Sequence, residues 1–215
     1  MINTKTDSIV GLLQRHIPRD LVMSIEDALR VGAQRAYSAA KEMDVGHRPS
    51  ALGQMRHFHM NESFQLALLA NGARPSPIRG NNVITGRSGI INLARFNSSL
   101  GSWNNSRRSL TRRQMSLANQ AIAPLVFGDL FDEYEPPTDI TVFFVSTFSG
   151  SILLEPELPV SIHIAVPDAM MQGWLFKEDA QVFIQRYEQI PAQVDLVNPT
   201  LKTAKKQQNP DSSAS

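Results

Sequence analysis

The segment ITVFFVSTF, residues Ile140–Phe148, decides the predicted fold. Its β-branched and aromatic residues are typical of a β-strand. Apolar side chains occupy both alternating sets of positions, so neither face of this strand is suited to water. We therefore expect it to lie buried within a sheet.

The segments around this strand extend the predicted sheet. Downstream, PVSIHIAVP (Pro159–Pro167) has the β-branched content of a second strand. WLFKEDAQVFIQRYE (174–188) is expected to begin extended and to end as a helix near Asp179–Glu188. Upstream, VITGRSGIINLARFN (83–97) predicts two short strands around a glycine-rich turn. The second half of the chain therefore predicts a mainly antiparallel sheet.

Helices are predicted before the sheet. In RDLVMSIEDALRVGAQRAYSAAKEM (19–43), small and apolar residues recur at helical spacing and form one face. These residues are Leu21, Ile25, Ala28, Gly32, Ala36, Ala40 and Met43. Because this face is small, another element can pack closely on it. Ser50 is the predicted N-cap of a second helix through Ala70, which ends at Asn71–Gly72.

This order of elements predicts the α+β class: N-terminal helices followed by a mainly antiparallel β-sheet with a C-terminal helix and a disordered tail. We expect residues 1–190 to form a single domain. It would be helical over 8–70, arginine-rich over 71–128, and acidic and β-rich over 129–190. Residues 198–215 contain few apolar side chains, which predicts a disordered tail.

Composition excludes several classes of site. The 215-residue chain has no cysteine, which removes disulfides, thiol nucleophiles and cysteine-ligated metals. It has no apolar run of membrane-spanning length and no signal-peptide pattern at its start, so we expect a soluble, cytoplasmic protein without a membrane partner. The net charge of +1 gives no bulk reason to expect binding to nucleic acid.

The distribution of charge is more informative than the net charge. Residues 63–127 contain eight arginines and no Asp, Glu or Lys. A proportional share of the chain's 20 acids would place about six there. Residues 129–179 reverse the sign, with ten acids and one lysine. This segregation indicates that the electrostatic field of the protein has a function, such as attraction of a charged partner.

Four of these arginines lie in SRRSLTRRQ, residues 106–114. Thr111–Gln114 matches a capping box, which predicts a helix with Arg112 and Arg113 in its first turn and an end or kink at Pro124. Cations at that end of a helix are unfavourable, and a bound anion removes the cost. Arginine also contacts phosphate with two parallel hydrogen bonds. The cluster therefore predicts an anion site.

The leading interpretation is a nucleic-acid-binding protein whose arginine-rich surface contacts the phosphates and bases of DNA or RNA. The predicted contact residues are Arg74, Arg79, Arg87, Arg95, Trp103, Asn104, Asn105, Arg107, Arg108, Arg112 and Arg113. One alternative is a non-enzymatic interaction protein whose acidic and basic halves pair, either within the fold or in a homo-oligomer. Another is a small anionic ligand.

The sequence patterns that would indicate catalysis are weaker than those for binding. The candidate acid–base residues are His57, His59 and His163. Asp129, Asp139 and Glu155 flank the strand at Ile140, and their carboxylates would permit a divalent metal and metal-dependent phosphodiester cleavage. None of these residues has diagnostic spacing. We therefore expect binding without cleavage and no cofactor.

Overall fold

The computed structural model describes residues 4–127, 137–149 and 157–188. Helices α1 (Thr4–His16), α2 (Arg19–Ala40) and α3 (Arg48–Ala70) come first. The strands are β1 (Thr85–Ser88), β2 (Ile91–Ser99), β3 (Ile140–Phe148), β4 (Ser161–Pro167) and β5 (Trp174–Asp179). Between β2 and β3 lie α4 (Trp103–Ser106), α5 (Leu110–Ser116), a 3₁₀ segment (Leu117–Ile122) and α6 (Ala123–Phe127). Helix α7 (Ala180–Arg186) follows β5. The α+β class is confirmed.

The five strands form one sheet in the order β1-β2-β3-β4-β5. Three neighbouring pairs are antiparallel, and β2 and β3 are parallel, with Ile91 opposite Ile140. Strand β3 lies at the centre and every one of its residues is buried, which confirms the prediction for this segment. Parallel neighbours need a crossover connection. The segment that contains α4, α5 and the 3₁₀ turn belongs to this crossover.

The two faces of the sheet pack against different parts of the chain. On the first face, Leu93, Val142 and Phe144 join the core formed with α1, α2, α3 and α7, where Phe144 lies against Phe64 of α3. On the second face, Ala94, Phe96, Phe143, Val145 and Ala165 form a smaller cluster. Residues of the crossover and of β5 cover that cluster. This second face carries the candidate site.

The predicted small face of α2 is confirmed, and it packs against α3. A side chain at Gly32 would meet the Cα atom of Met60 at 2.7 Å, so the two helices approach closely at this point. Helix α2 ends at Ala40, before the predicted Met43. The N-cap prediction at Ser50 is wrong, since α3 begins at Arg48 and accommodates a proline in its first turn. The predicted end at Asn71–Gly72 is confirmed.

The predicted capping box at Thr111 is also wrong. Ser109 caps α5, and its side chain accepts a hydrogen bond from the backbone N–H of Arg112. Helix α5 is only seven residues long and passes into the 3₁₀ segment, and Pro124 lies in the first turn of α6 rather than at the end of one continuous helix. An anion at this cluster would therefore be held by the arginine side chains and not by the terminus of a long helix.

Of the two short strands predicted around the glycine-rich turn, β1 has four residues, but β2 is longer than predicted, with nine. The two strands around a glycine-rich turn are β1 and β2, and Gly89 adopts a φ of 56° in the turn that joins them. Asp179, the last residue of β5, caps α7. The predicted tail, 198–215, lies outside the described residues. No described helix is long and apolar enough to cross a membrane.

Candidate nucleic-acid interface

A buried side chain fixes the crossover against the sheet. The Asn119 amide nitrogen donates to the carbonyls of Thr141 (3.0 Å) and Pro167 (2.8 Å), and its oxygen accepts from the N–H of Thr141 (2.8 Å). The Thr141 hydroxyl in turn donates to the carbonyl of Met115. Because these buried polar groups are all satisfied, the crossover has a defined position over the ends of β3 and β4.

The loop between β4 and β5 is fixed by one carboxylate. Asp168 accepts hydrogen bonds from the backbone N–H groups of Met170, Gln172 and Gly173. Met171 adopts a φ of 55°, a sparsely populated conformation for a residue with a side chain, and its side chain is fully buried. The loop therefore holds Met170 and Gln172 in place next to the crossover.

Between this loop and the crossover lies a cleft of about 300 Å³, lined by Arg107, Arg108, Arg113, Met170 and Gln172. We call it the arginine cleft. All three arginines are exposed, and none of them forms an ion pair within the described part of the chain. Three guanidinium groups around one small cavity create a positive potential suited to an anion.

Arg112 does not line the cleft. Its guanidinium carbon lies 4.4 Å from the centre of the Phe96 ring, and its Nη1 donates to the carbonyl of Ser106 at 2.6 Å. Burial lowers the pKa of this guanidinium. Arg112 therefore packs the crossover onto the second face of the sheet, while its three neighbours in sequence face the cavity.

The two tryptophans of the chain lie beside the arginine cleft. Trp103 and Trp174 stack with ring centroids 4.1 Å apart and planes tilted by 40°. Both rings are half-buried on the second sheet face, and Lys177 Nζ lies 5.7 Å from the Trp174 centroid. The Trp103 carbonyl accepts from the N–H of Arg107 at 3.1 Å, which ties the stack to the cleft. An aromatic platform thus adjoins the cations.

Arg95 lies in the interior and not on the predicted surface. It is 4% exposed and donates to Asn61 Oδ1 (2.9 Å), Asn97 Oδ1 (3.0 Å) and the His57 carbonyl (3.2 Å). Burial, together with the positive charge of Arg112, lowers the pKa of Arg95 to about 9. A phosphate of an external ligand cannot reach it. Its place on the same alternating face as Ile91 and Leu93 is the sequence signal that indicates this burial.

Three predicted contact residues lie near β1, at the edge of the sheet opposite β5. Arg74, Arg79 and Arg87 are all exposed. The Nη1 atom of Arg87 lies 3.4 Å from Asp139 Oδ1, which also accepts from Asn92 Nδ2 at 2.7 Å. This ion pair joins the basic and acidic segments within one chain. An exposed pair of this kind contributes little to stability.

The three histidines considered for catalysis lie on two different elements. His57 and His59 lie on α3, and His163 lies on β4. Within the described residues, no group of three or more His, Asp and Glu side chains is arranged to hold a metal. Asp129 and Glu155 lie outside the described residues, as do the side chains of Asn104 and Asn105.

The lowered pKa of His163 predicts a specific pH dependence of the free energy of unfolding. Burial and then the charge of Lys177 lower its pKa below 6.5, and Asp179 opposes this shift. Just below pH 6.5, the unfolded chain therefore binds more protons at this residue than the folded chain does. The neutral ring stabilises the folded state above pH 6.5, and this contribution is lost as the pH falls through the lower pKa of the folded state. We expect the free energy of unfolding to fall between pH 7 and pH 5, and to fall less in His163→Gln.

Urea denaturation of both proteins across this range measures the effect. His57, whose pKa is also lowered, is present in both proteins and cancels in the comparison. Parallel curves for the two proteins would show that protonation of His163 does not contribute.

The sequence did not predict the other wall of the cleft or the second tryptophan of the adjoining stack. Met170, Gln172 and Trp174 lie about 60 residues beyond the arginines, and only the pairing of β4 with β5 and the position of the crossover bring them there. Comparison of the chain with protein-family models, curated proteins and solved structures finds no significant match. The function must therefore be argued from the site itself.

Proposed function

We propose that the protein binds nucleic acid and that the arginine cleft contacts its phosphates. The observation that carries this proposal is the convergence of Arg107, Arg108 and Arg113 on one cavity without a carboxylate partner in the described part of the chain. Because these arginines are exposed and repel one another, their arrangement does not stabilise the fold. A phosphate offsets the repulsion and accepts paired hydrogen bonds from each guanidinium plane.

The neighbouring aromatic stack favours nucleic acid over a simple inorganic anion. Nucleic acid presents phosphates and planar bases in alternation, and proteins that bind single strands combine a cationic groove with aromatic side chains. Here Trp103 and Trp174 adjoin the three arginines. Gln172 adds an amide that can donate to or accept from a sugar or base.

Fluorescence anisotropy with labelled single-stranded and duplex DNA and RNA tests the proposal over a range of salt concentrations. Each phosphate neutralised contributes a slope of about −0.7 for single strands and about −0.9 for duplex DNA in a plot of log K against log salt. Three contacts thus give a slope of about −2 for a single strand. Absence of binding at low salt, or binding that salt does not weaken, would contradict the proposal.

A second measurement on the same samples uses the two tryptophans as reporters, since both lie at the site. A base that reaches the stack changes their fluorescence, whereas inorganic phosphate in the cleft leaves it nearly constant. Incubation with magnesium or manganese then tests for cleavage, and we expect intact nucleic acid. Sedimentation at low and high salt tests the alternative, in which complementary charges assemble oligomers that dissociate as salt rises.

A further inference from the structure

A second cavity lies along the first half of α3, away from the cleft. It has a volume of about 530 Å³ and is lined by Ser50, Gly53, Gln54, His57, Phe58 and Asn81. We call it the α3 groove. It shares no residue with the arginine cleft, and its volume is in the range of small-molecule sites. Among the described residues, its lining contains two aromatic rings, several neutral polar side chains and no carboxylate.

A chain of hydrogen bonds fixes the state of His57. Asn61 Oδ1 accepts from Arg95 Nε at 2.9 Å, so the Asn61 amide nitrogen faces His57 Nε2, 3.3 Å away. That nitrogen can only donate, which makes Nε2 an acceptor and leaves the ring proton on Nδ1. A backbone acceptor of Asn81 beside the ring raises the pKa of His57, against the larger lowering caused by burial. The His57 ring is thus neutral and held in one orientation, and it forms one wall of the groove.

Arg95 sets the electrostatic character of the groove. Its buried guanidinium donates to amide and carbonyl oxygens, and no carboxylate in the described part of the chain neutralises it. Burial and this charge lower the pKa of His57. A positive charge behind the wall disfavours a cationic ligand and favours groups rich in acceptor oxygens and nitrogens.

We propose that the α3 groove binds a nucleobase, which stacks on Phe58 and pairs its polar edge with the side chains of Gln54, Ser50 and Asn81. Phe58 is 40% exposed, and its ring lies edge-on to the His57 ring with centroids 5.6 Å apart, so both aromatic rings border the groove. Amide side chains both donate and accept, as the edges of bases do. Stacking on an aromatic side chain supplies binding for any base because every base has a flat face.

The base has two possible sources, a free nucleoside or an unpaired nucleotide of a strand. Arg79 belongs to the same turn as Asn81, with its carbonyl bonded to the N–H of Asn82, and it is exposed. A nucleotide held in a strand brings a phosphate that Arg79 can contact, whereas a nucleoside brings none. The two sources therefore differ in affinity and in their response to salt.

Equilibrium dialysis of the full chain with the four uncharged ribonucleosides tests the proposal without involving the phosphate site. We expect saturable binding that weakens at least tenfold in Phe58→Ala and in Gln54→Ala. Both side chains are exposed, so the variants should fold, and far-UV circular dichroism and thermal denaturation verify this. Leu66→Ala removes an apolar side chain elsewhere on α3 that is more exposed than Phe58, and it should leave binding unchanged.

The outcome separates this proposal from the proposed function. Loss of nucleoside binding in the triple alanine variant of the arginine cleft would contradict an independent site, as would equal binding by Phe58→Ala and the unaltered protein. Failure of all four nucleosides to bind would overturn the proposal even if salt-dependent binding of oligonucleotides persisted. Competition by a short single-stranded oligonucleotide at lower concentration than the nucleoside identifies a strand as the source, and weaker competition identifies the free nucleoside.

Discussion

Replacement of Arg107, Arg108 and Arg113 together by alanine is expected to weaken binding of single-stranded nucleic acid at low salt by at least a hundredfold. Each charge-assisted hydrogen bond is worth about 1.5–3 kcal/mol, so three of them exceed the roughly 2.8 kcal/mol that a hundredfold change represents. The slope of log K against log salt should become shallower by about 2, which is the contribution of three single-strand phosphates. Anisotropy titrations at several salt concentrations measure both quantities.

The chain offers a control with the same loss of charge. Arg15, Arg74 and Arg87 are also exposed, but none of them lines the arginine cleft or the α3 groove. Replacing them removes three positive charges without touching the cleft, and we expect a loss of affinity at least tenfold smaller. Equal losses in the two triple variants would mean that diffuse charge, and not the cleft, attracts the ligand.

Arg112 must remain in the cleft variant. Its guanidinium packs on Phe96 and donates to the carbonyl of Ser106, so its removal would loosen the crossover that carries the other three arginines. A variant that combined all four arginines would mix lost binding with lost structure. The distinction comes from the fold, since the four residues look alike in the sequence.

Local patterns predicted most of the fold. The apolar residues of β3, the small face of α2 and the glycine turn between β1 and β2 each reflect a requirement that acts within a few residues. The helix starts at Ser50 and Thr111 were predicted wrongly. Several residues in each region can cap a helix, and packing decides between them.

The candidate site was predicted only in part. The cluster Arg107–Arg113 is visible as a run of like charges, but its division into cleft and packing residues depends on how the crossover lies on the sheet. The other wall comes from the β4–β5 loop, far away in sequence. Arg95 shows most clearly where prediction from composition fails. Its charge suggested a surface position, whereas the alternation of side chains along β2 places it in the interior.

Gly32→Ala is expected to lower the free energy of unfolding by about 2 kcal/mol. The added Cβ would lie 2.7 Å from Met60 Cα and 2.9 Å from the His59 carbonyl oxygen. Overpacking costs roughly 1–3 kcal/mol, and the cost should be near the upper end here because backbone atoms cannot turn aside. Alanine's higher helix propensity returns only about 1 kcal/mol. Urea denaturation measures the difference.

Gly11→Ala is the matched control, and the opposite sign is expected. Gly11 lies within α1, and a side chain there would meet nothing within 4 Å, so only the propensity gain of about 0.5–1 kcal/mol remains. If both variants were stabilised, α2 and α3 would have to be farther apart than the structure places them. That result would also displace the His57–Asn61–Arg95 chain, which joins α3 to β2, and with it the wall of the α3 groove.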